Sequence, residues 1–236
     1  MRTRQEIKAI GKDRFMANYW NCVLACLLIA IAIGVLYGLS NGPAFAAMTR
    51  GHRSNSDVTI TFSSSIGSLA LLVLSGPLSI GLCYFFVMNV LGRSDISIST
   101  PFTAAFTNFG RKLGGSLWMA LFVFLWSLLF FIPGIIKSFS YAMTQYILAD
   151  CPNVKARDAL KLSMRIMNGH KADLFVFHLS FLGWAILGAL TFGILNLFYV
   201  SPYMNSSLAT FYLEVREDAL RRGVITMGQL EGAEAV

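Results

Sequence analysis

Lys137 is the single formal charge between Gly114 and Ala149, with Ser138 beside it and Ser140 three positions on. A lysine near a serine in apolar surroundings could form a base–nucleophile pair. Adjacent residues point different ways on a helix, so no Ser-Lys dyad is expected. The nearest serine pattern elsewhere, GPLSIG at 76–81, has the wrong spacing for a nucleophile elbow. HExxH, a P-loop and a metal-holding acidic cluster are all missing from the sequence. His178 sits in an apolar run far from His52 and His170, which suits a hydrogen-bonded packing residue. Cys22, Cys26, Cys83 and Cys151 lack zinc-site spacing and read as small packing residues. No catalytic residue, metal site or cofactor is expected.

Polar residues at helical spacing are a stronger signal. Lys137, Tyr141, Thr144 and Gln145 fall near one face of a segment that follows Pro133-Gly134. Ser201, Asn205 and Tyr212 do the same on the last apolar arm, with Asn196 near its start. Polar groups in lipid face other helices or a wet cavity. One reading is packing through interhelical hydrogen bonds. The other is a cavity open to the outside, guarded by Lys137, that accepts an anionic lipid or a small solute. A third group lies in NVKARDALKLSMRIMNGHK: Arg157, Lys161 and Arg165 share one face, while Leu160, Met164 and Met167 share another. That pattern predicts an interfacial helix between Asn153 or Asp150 and Gly169, first of all as a plain basic membrane anchor; the alternative makes the basic face a headgroup-binding or partner-binding surface.

The elements that carry these residues follow from composition. Of 236 residues 56% are hydrophobic and only 13% charged, with mean hydropathy +0.62. That leaves too little polar sequence to coat a soluble core of this size. The chain reads as an all-α, polytopic integral membrane bundle of about six spans arranged as helical hairpins. The net charge of +7 belongs to loops between apolar runs and not to a groove-sized face, which argues against a nucleic-acid partner.

The first apolar run, about residues 19–39, follows a basic start. That order also describes a signal peptide, with an Ala-x-Ala site at Ala44 and Ala46. The run is long for a signal sequence, and Cys22, Cys26, Ala30, Gly34 and Gly38 form a small-residue stripe suited to helix packing, so a retained span is expected. Residues 40–63 read as a polar loop whose end, DVTITF, alternates like a short strand or an interfacial segment. A second span, about 65–91, contains Gly76-Pro77 and a kink is expected there. The stretch 93–112 reads as an amphipathic connector.

Gly115 to Ala149 as one helix would extend over about 50 Å, against a hydrocarbon core about 30 Å thick. A hairpin turning at Pro133-Gly134 resolves this, since proline lacks a donor and glycine accepts the left-handed region. A second turn is expected at Thr191-Phe192-Gly193, with Ala185, Ala189 and Gly193 as another small-residue stripe. Tyr84, Tyr141 and Tyr203 each follow a Pro or Gly break, as in a threefold repeat of hairpins.

Residues 1–16 form a basic cytoplasmic segment, 17–215 the bundle and 216–236 a cytoplasmic tail frayed at its end. With both termini inside, Arg50, Arg53 and Lys137 lie outside and the other sixteen of the nineteen basic residues inside. Membrane lipids, a second copy of the chain or another membrane protein are the expected partners.

Several phrases together carry a resemblance: LSGPL at 74–78, FIPGIIK at 131–137, ILADCP at 147–152, NGHK at 168–171, LSFLGW at 179–184, LTFGI at 190–194, PY at 202–203 and FY at 211–212. The chain resembles a family of uncharacterised bacterial multi-pass membrane proteins, with Cys151 where a polar residue such as asparagine is the family's habit. It is more faintly similar to the membrane domain attached to some bacterial glycerophosphodiester phosphodiesterases, without their catalytic barrel. The resemblance implies a bacterial cytoplasmic (inner) membrane location, and it implies no biochemical activity.

Overall fold

The structure, a computed structural model, describes residues 2–50, 57–93, 96–129 and 131–234. Among these residues it is helical throughout, without strands. The helices are α1 (Arg4–Ala17), α2 (Tyr19–Arg50), α3 (Asp57–Val90), α4 (Thr100–Phe106), α5 (Phe109–Leu129) and α6 (Phe131–Tyr141). They continue as α7 (Thr144–Asp150), α8 (Ala156–Ile166), α9 (Lys171–Leu179), α10 (Leu182–Leu190), a π-helical turn (Asn196–Val200), α11 (Ser201–Arg221) and α12 (Met227–Glu231). Three stretches are long and apolar enough to cross a membrane: Tyr19–Asn41, Gly67–Val90 and Lys171–Leu190, the last covering α9 and α10. Large apolar side chains point outward from them and from α5, including Tyr37, Leu72, Leu121, Phe124, Leu128 and Ile186. Water would not favour such a surface, and lipid would.

The core is aromatic and lies between α1, α3, α7, α8, α9 and α11. Phe15, Phe85, Phe86, Phe177, Phe211 and Tyr212 are fully buried there, with Ile147, Leu148 and Leu162. Glycines set the closest approaches. A Cβ on Gly11 of α1 would stand 2.6 Å from the Ser207 backbone on α11, and the Ser206 hydroxyl donates to the Gly11 carbonyl at 2.8 Å.

One end of the bundle gathers the charged contacts. Arg2 pairs with Glu214 at 2.8 Å, although the two are 212 positions apart. Arg111 donates to the carbonyls of Leu148 (2.6 Å), Val154 (2.8 Å) and Cys151 (3.0 Å), tying the start of α5 to the end of α7. Asp150 pairs with Arg216, and His170 meets Asp218 at 3.2 Å. Asn18 donates to Asn89 at 2.8 Å, joining the start of α2 to the end of α3. These contacts set α2 against α3, α5 against α7 and α9 against α11 in opposite directions.

Several sequence expectations are corrected. DVTITF is helical and opens α3, because a continuous apolar helix overrides a short alternation. The residues 42–50 and 57–63 of the expected polar loop extend α2 and α3 as helix; 51–56 lie outside the described residues. Pro133-Gly134 is not the hairpin turn. Both residues lie inside the first turn of α6, where proline gives up no helix bond, and Gly134 packs against Ser127 of α5. Pro77 sits within an uninterrupted α3, so no threefold repeat of broken arms is seen; the Ser79 hydroxyl donates to the carbonyls of Ser75 and Gly76 at 2.8 and 2.9 Å. The expected turn at Thr191-Phe192-Gly193 is present, with φ of 51° at Phe192 and 82° at Gly193.

Neither small-residue stripe is an internal seam. Cys22 and Cys26 are buried, but Ala30, Gly34 and Gly38 are exposed, as are Ala185, Ala189 and Gly193. The two termini are ordered parts of the bundle over the described residues. α1 is closed by a Thr3/Glu6 capping box, and α12 by a second box from Thr226 and Gln229, with Leu230 buried. The predicted frayed tail is thus folded through residue 234.

Candidate functional site

α8 is strongly two-sided. Ala159, Leu160, Leu162, Ser163 and Ile166 are buried, and the Ser163 hydroxyl donates to the Ser140 carbonyl at 2.8 Å. Its apolar side packs on α5, α6, α7 and α11, so the amphipathic pattern serves packing within the bundle. A core and a bilayer reward the same periodicity, so the sequence pattern could not separate them. Arg157, Lys161 and Arg165 remain exposed on the opposite side.

Next to that face lies a cleft of about 390 Å³ between α5, α6 and α8. Trp118, Phe122, Tyr141, Leu160 and Met164 line it, with Arg157 and Lys161 at its polar side. The Arg157 guanidinium lies 4.9 Å from the centroid of the Trp118 ring, within cation–π range. Trp118 and Phe122 stack at 5.5 Å. Lys161 also reaches Asp158 at 3.4 Å, one turn back on α8.

The predicted stripe does not assemble as one site. Gln145 and Asn205 do meet, in a smaller cavity of about 230 Å³ with Ser79, Cys83, Tyr146 and His178. Asn205 spends its amide on the Ser201 carbonyl at 2.9 Å, and Ser201 itself stays at the start of α11. Tyr141 belongs to the α5–α6–α8 cleft instead. Lys137 lines neither; its ammonium sits 4.7 Å over the Trp126 ring. Thr144 is fully buried with its hydroxyl unpartnered. Tyr212 is also fully buried, donates to Asp150 at 3.0 Å and stacks on Tyr146 at 5.4 Å.

His178 lines the smaller cavity while its Nδ1 lies 2.9 Å from the Leu174 carbonyl. It thus combines the packing role expected of it with one side on a cavity of mixed polar and apolar walls. Trp118 is a site residue that sequence reasoning misses, since a tryptophan in an apolar run carries no local mark of its partner. All four cysteines are free and buried. Among the described residues no three His, Cys, Asp or Glu side chains stand close enough to share a metal ion.

A second titratable group joins α9 to α11. His170 contacts Asp218 at 3.2 Å and Asp173 at 3.4 Å, and Arg222 reaches Asp218 at 2.7 Å. Burial pushes the Asp218 carboxyl up. The His170 hydrogen bond and the Arg222 charge outweigh this and hold it below the usual carboxylate range.

Comparison with known proteins covers part of this arrangement. No curated protein and no solved structure matches the chain. Residues 128–219 are similar to a family described as a protein of unknown function, DUF975, a stretch that holds α6 to α10, most of α11 and the whole basic face of α8.

Proposed function

We propose that this chain is a non-enzymatic interaction protein of a bacterial cytoplasmic membrane, and that the basic face of α8 is its docking surface. The carrying observation is the division of labour on α8. Its apolar side is consumed inside the bundle, while Arg157, Lys161 and Arg165 stay exposed in a row. Buried and half-buried polar groups, by contrast, are mostly spent on joining helices: Glu214 with Arg2, Asn89 with Asn18, Arg111 with three carbonyls, and Asp150 with Tyr212 and Arg216. A scaffold that fixes its polar groups this way favours recognition over chemistry.

A six-span topology with both termini cytoplasmic goes with this reading. Its support is the opposed directions of these helix pairs and the collection of basic residues at one end, as the positive-inside rule requires. A photoreactive side chain at position 165 should crosslink to a discrete membrane protein, whereas one at lipid-facing position 124 should not. Equal crosslinking from both positions would count against docking through α8.

One observation favours a second reading, a small transporter. The cavity shared by Gln145, His178 and Asn205 sets several polar side chains among leucine, alanine and methionine walls, within apolar helices. Uptake into proteoliposomes that is lost in Asn205→Leu, with folding intact, would favour it.

A further inference from the structure

We propose that the cleft between α5, α6 and α8 binds one anionic glycerophospholipid, with its phosphate held by Arg157 and Lys161 and an acyl chain lying along Trp118, Phe122, Leu160 and Met164. The proposal deepens the docking reading of α8 by giving part of that face a lipid ligand.

Three observations converge on this occupant. The first is the shape and chemistry of the cleft. Its volume of about 390 Å³ lies at the lower end of ligand sites, which run from roughly 300 to 1,000 Å³. Its walls are apolar and aromatic, and its two charged lining residues are both cations. That combination matches a molecule with one anionic and one hydrocarbon part, and suits a free anion or a neutral lipid less well.

The second is orientation. Arg157 is held over Trp118 at 4.9 Å, and among the described residues no carboxylate pairs with it. The ring fixes the guanidinium without neutralising it, leaving its donors for a phosphate, which arginine binds through two parallel hydrogen bonds. Asp158, one turn back on α8, pairs with Lys161 at 3.4 Å. A phosphate there would share Lys161 with it.

The third is depth. Trp118 lies two turns past Arg111, which caps the charged end of the bundle. The exposed apolar surface of α5 begins at Leu117 and runs through Leu121, Phe124 and Leu125 to Leu128. The cleft therefore spans the change from charged end to apolar flank, where a headgroup meets its chains. Basic pockets between membrane helices recognise anionic headgroups in this setting, each cation contributing about 1 kcal/mol.

The test is native mass spectrometry of the full chain in mild detergent, titrated separately with phosphatidylglycerol, with phosphatidylcholine of the same chains, and with glycerol 3-phosphate. Wild type should bind phosphatidylglycerol about tenfold or more tightly than phosphatidylcholine. The double variant Arg157→Gln/Lys161→Gln should lose on the order of 10–30-fold of that affinity and bring the two lipids together. Trp118→Ala should weaken both lipids, and Arg165→Gln, outside the cleft, should change neither. Equal affinity for the two lipids, or an unchanged double variant that elutes like wild type, would overturn the proposal. Glycerol 3-phosphate binding as tightly as the intact lipid would also overturn it, by making the site one for a free anion. Arg165→Gln separates the two readings. If it removes a protein partner that co-purifies with wild type while lipid preference persists, the readings stand independently; if wild type itself carries no protein partner and lipid preference remains, only the docking reading fails.

Discussion

Tyr212 of α11 donates its hydroxyl to Asp150 at the end of α7 at 3.0 Å, across 62 positions of sequence, and Arg216 one turn further on pairs with the same carboxylate. The carboxylate is about 10% exposed, so a neutral amide in its place would leave the arginine without its counter-charge. Removing one partner of a buried pair costs about 3–5 kcal/mol, whereas losing one hydrogen bond costs about 1 kcal/mol. Asp150→Asn should therefore lower the thermal midpoint clearly more than Tyr212→Phe. Equal losses in a thermal-shift series would show that the hydroxyl, not the ion pair, dominates this junction.

The contact between Gly11 and Ser207 gives a second test. A methyl group on Gly11 would stand 2.6 Å from the Ser207 Cα, a backbone atom that no rotamer change can move. Gly11→Ala should cost about 1–3 kcal/mol through overpacking and raise hydrogen exchange in α1. Unchanged stability and exchange would mean that α1 does not seat against α11 this closely.

These two junctions also mark what local sequence can reveal. Helical content and the apolar surfaces are legible because their periodicity is local. The Thr191–Gly193 turn is legible because Gly193 has few other uses. The Pro133-Gly134 pair misleads because proline suits the first turn of a helix as well as a break. The stripe at Ala30, Gly34 and Gly38 misleads because small residues permit close approach without requiring it. Of the candidate site residues, Arg157, Lys161 and Arg165 can be placed on one face by spacing alone. Their neighbour Trp118 cannot, nor can the pairs Arg2–Glu214 and Asp150–Arg216, since nothing local encodes a partner tens or hundreds of residues away.

Asp218 should make stability depend on pH at the acid end. Its folded value is depressed, so its contribution is complete above the ordinary carboxylate value near pH 4 and is lost as pH falls through the lower folded value. Asp218→Asn should melt below wild type at pH 7, with the gap narrowing as pH falls below the ordinary carboxylate value. A gap constant from pH 7 to 3 would remove the His170–Asp218–Arg222 contact from the explanation.

Topology can be read with single cysteines, because the four native ones are buried. Asn41→Cys, Ser138→Cys and Phe192→Cys, all at exposed positions, should react with an impermeant maleimide added to intact cells. Arg222→Cys should react only after lysis. Protection at 41, 138 and 192 together would contradict the proposed six-span topology.

The most direct measurement of docking through α8 is native mass spectrometry of the gently extracted protein beside its Arg157→Gln/Lys161→Gln/Arg165→Gln variant. The expected result is a stoichiometric protein partner on wild type that is missing from the variant, with the variant's thermal midpoint unchanged. A partner retained at the same stoichiometry by a correctly folded variant would contradict docking through the basic face of α8.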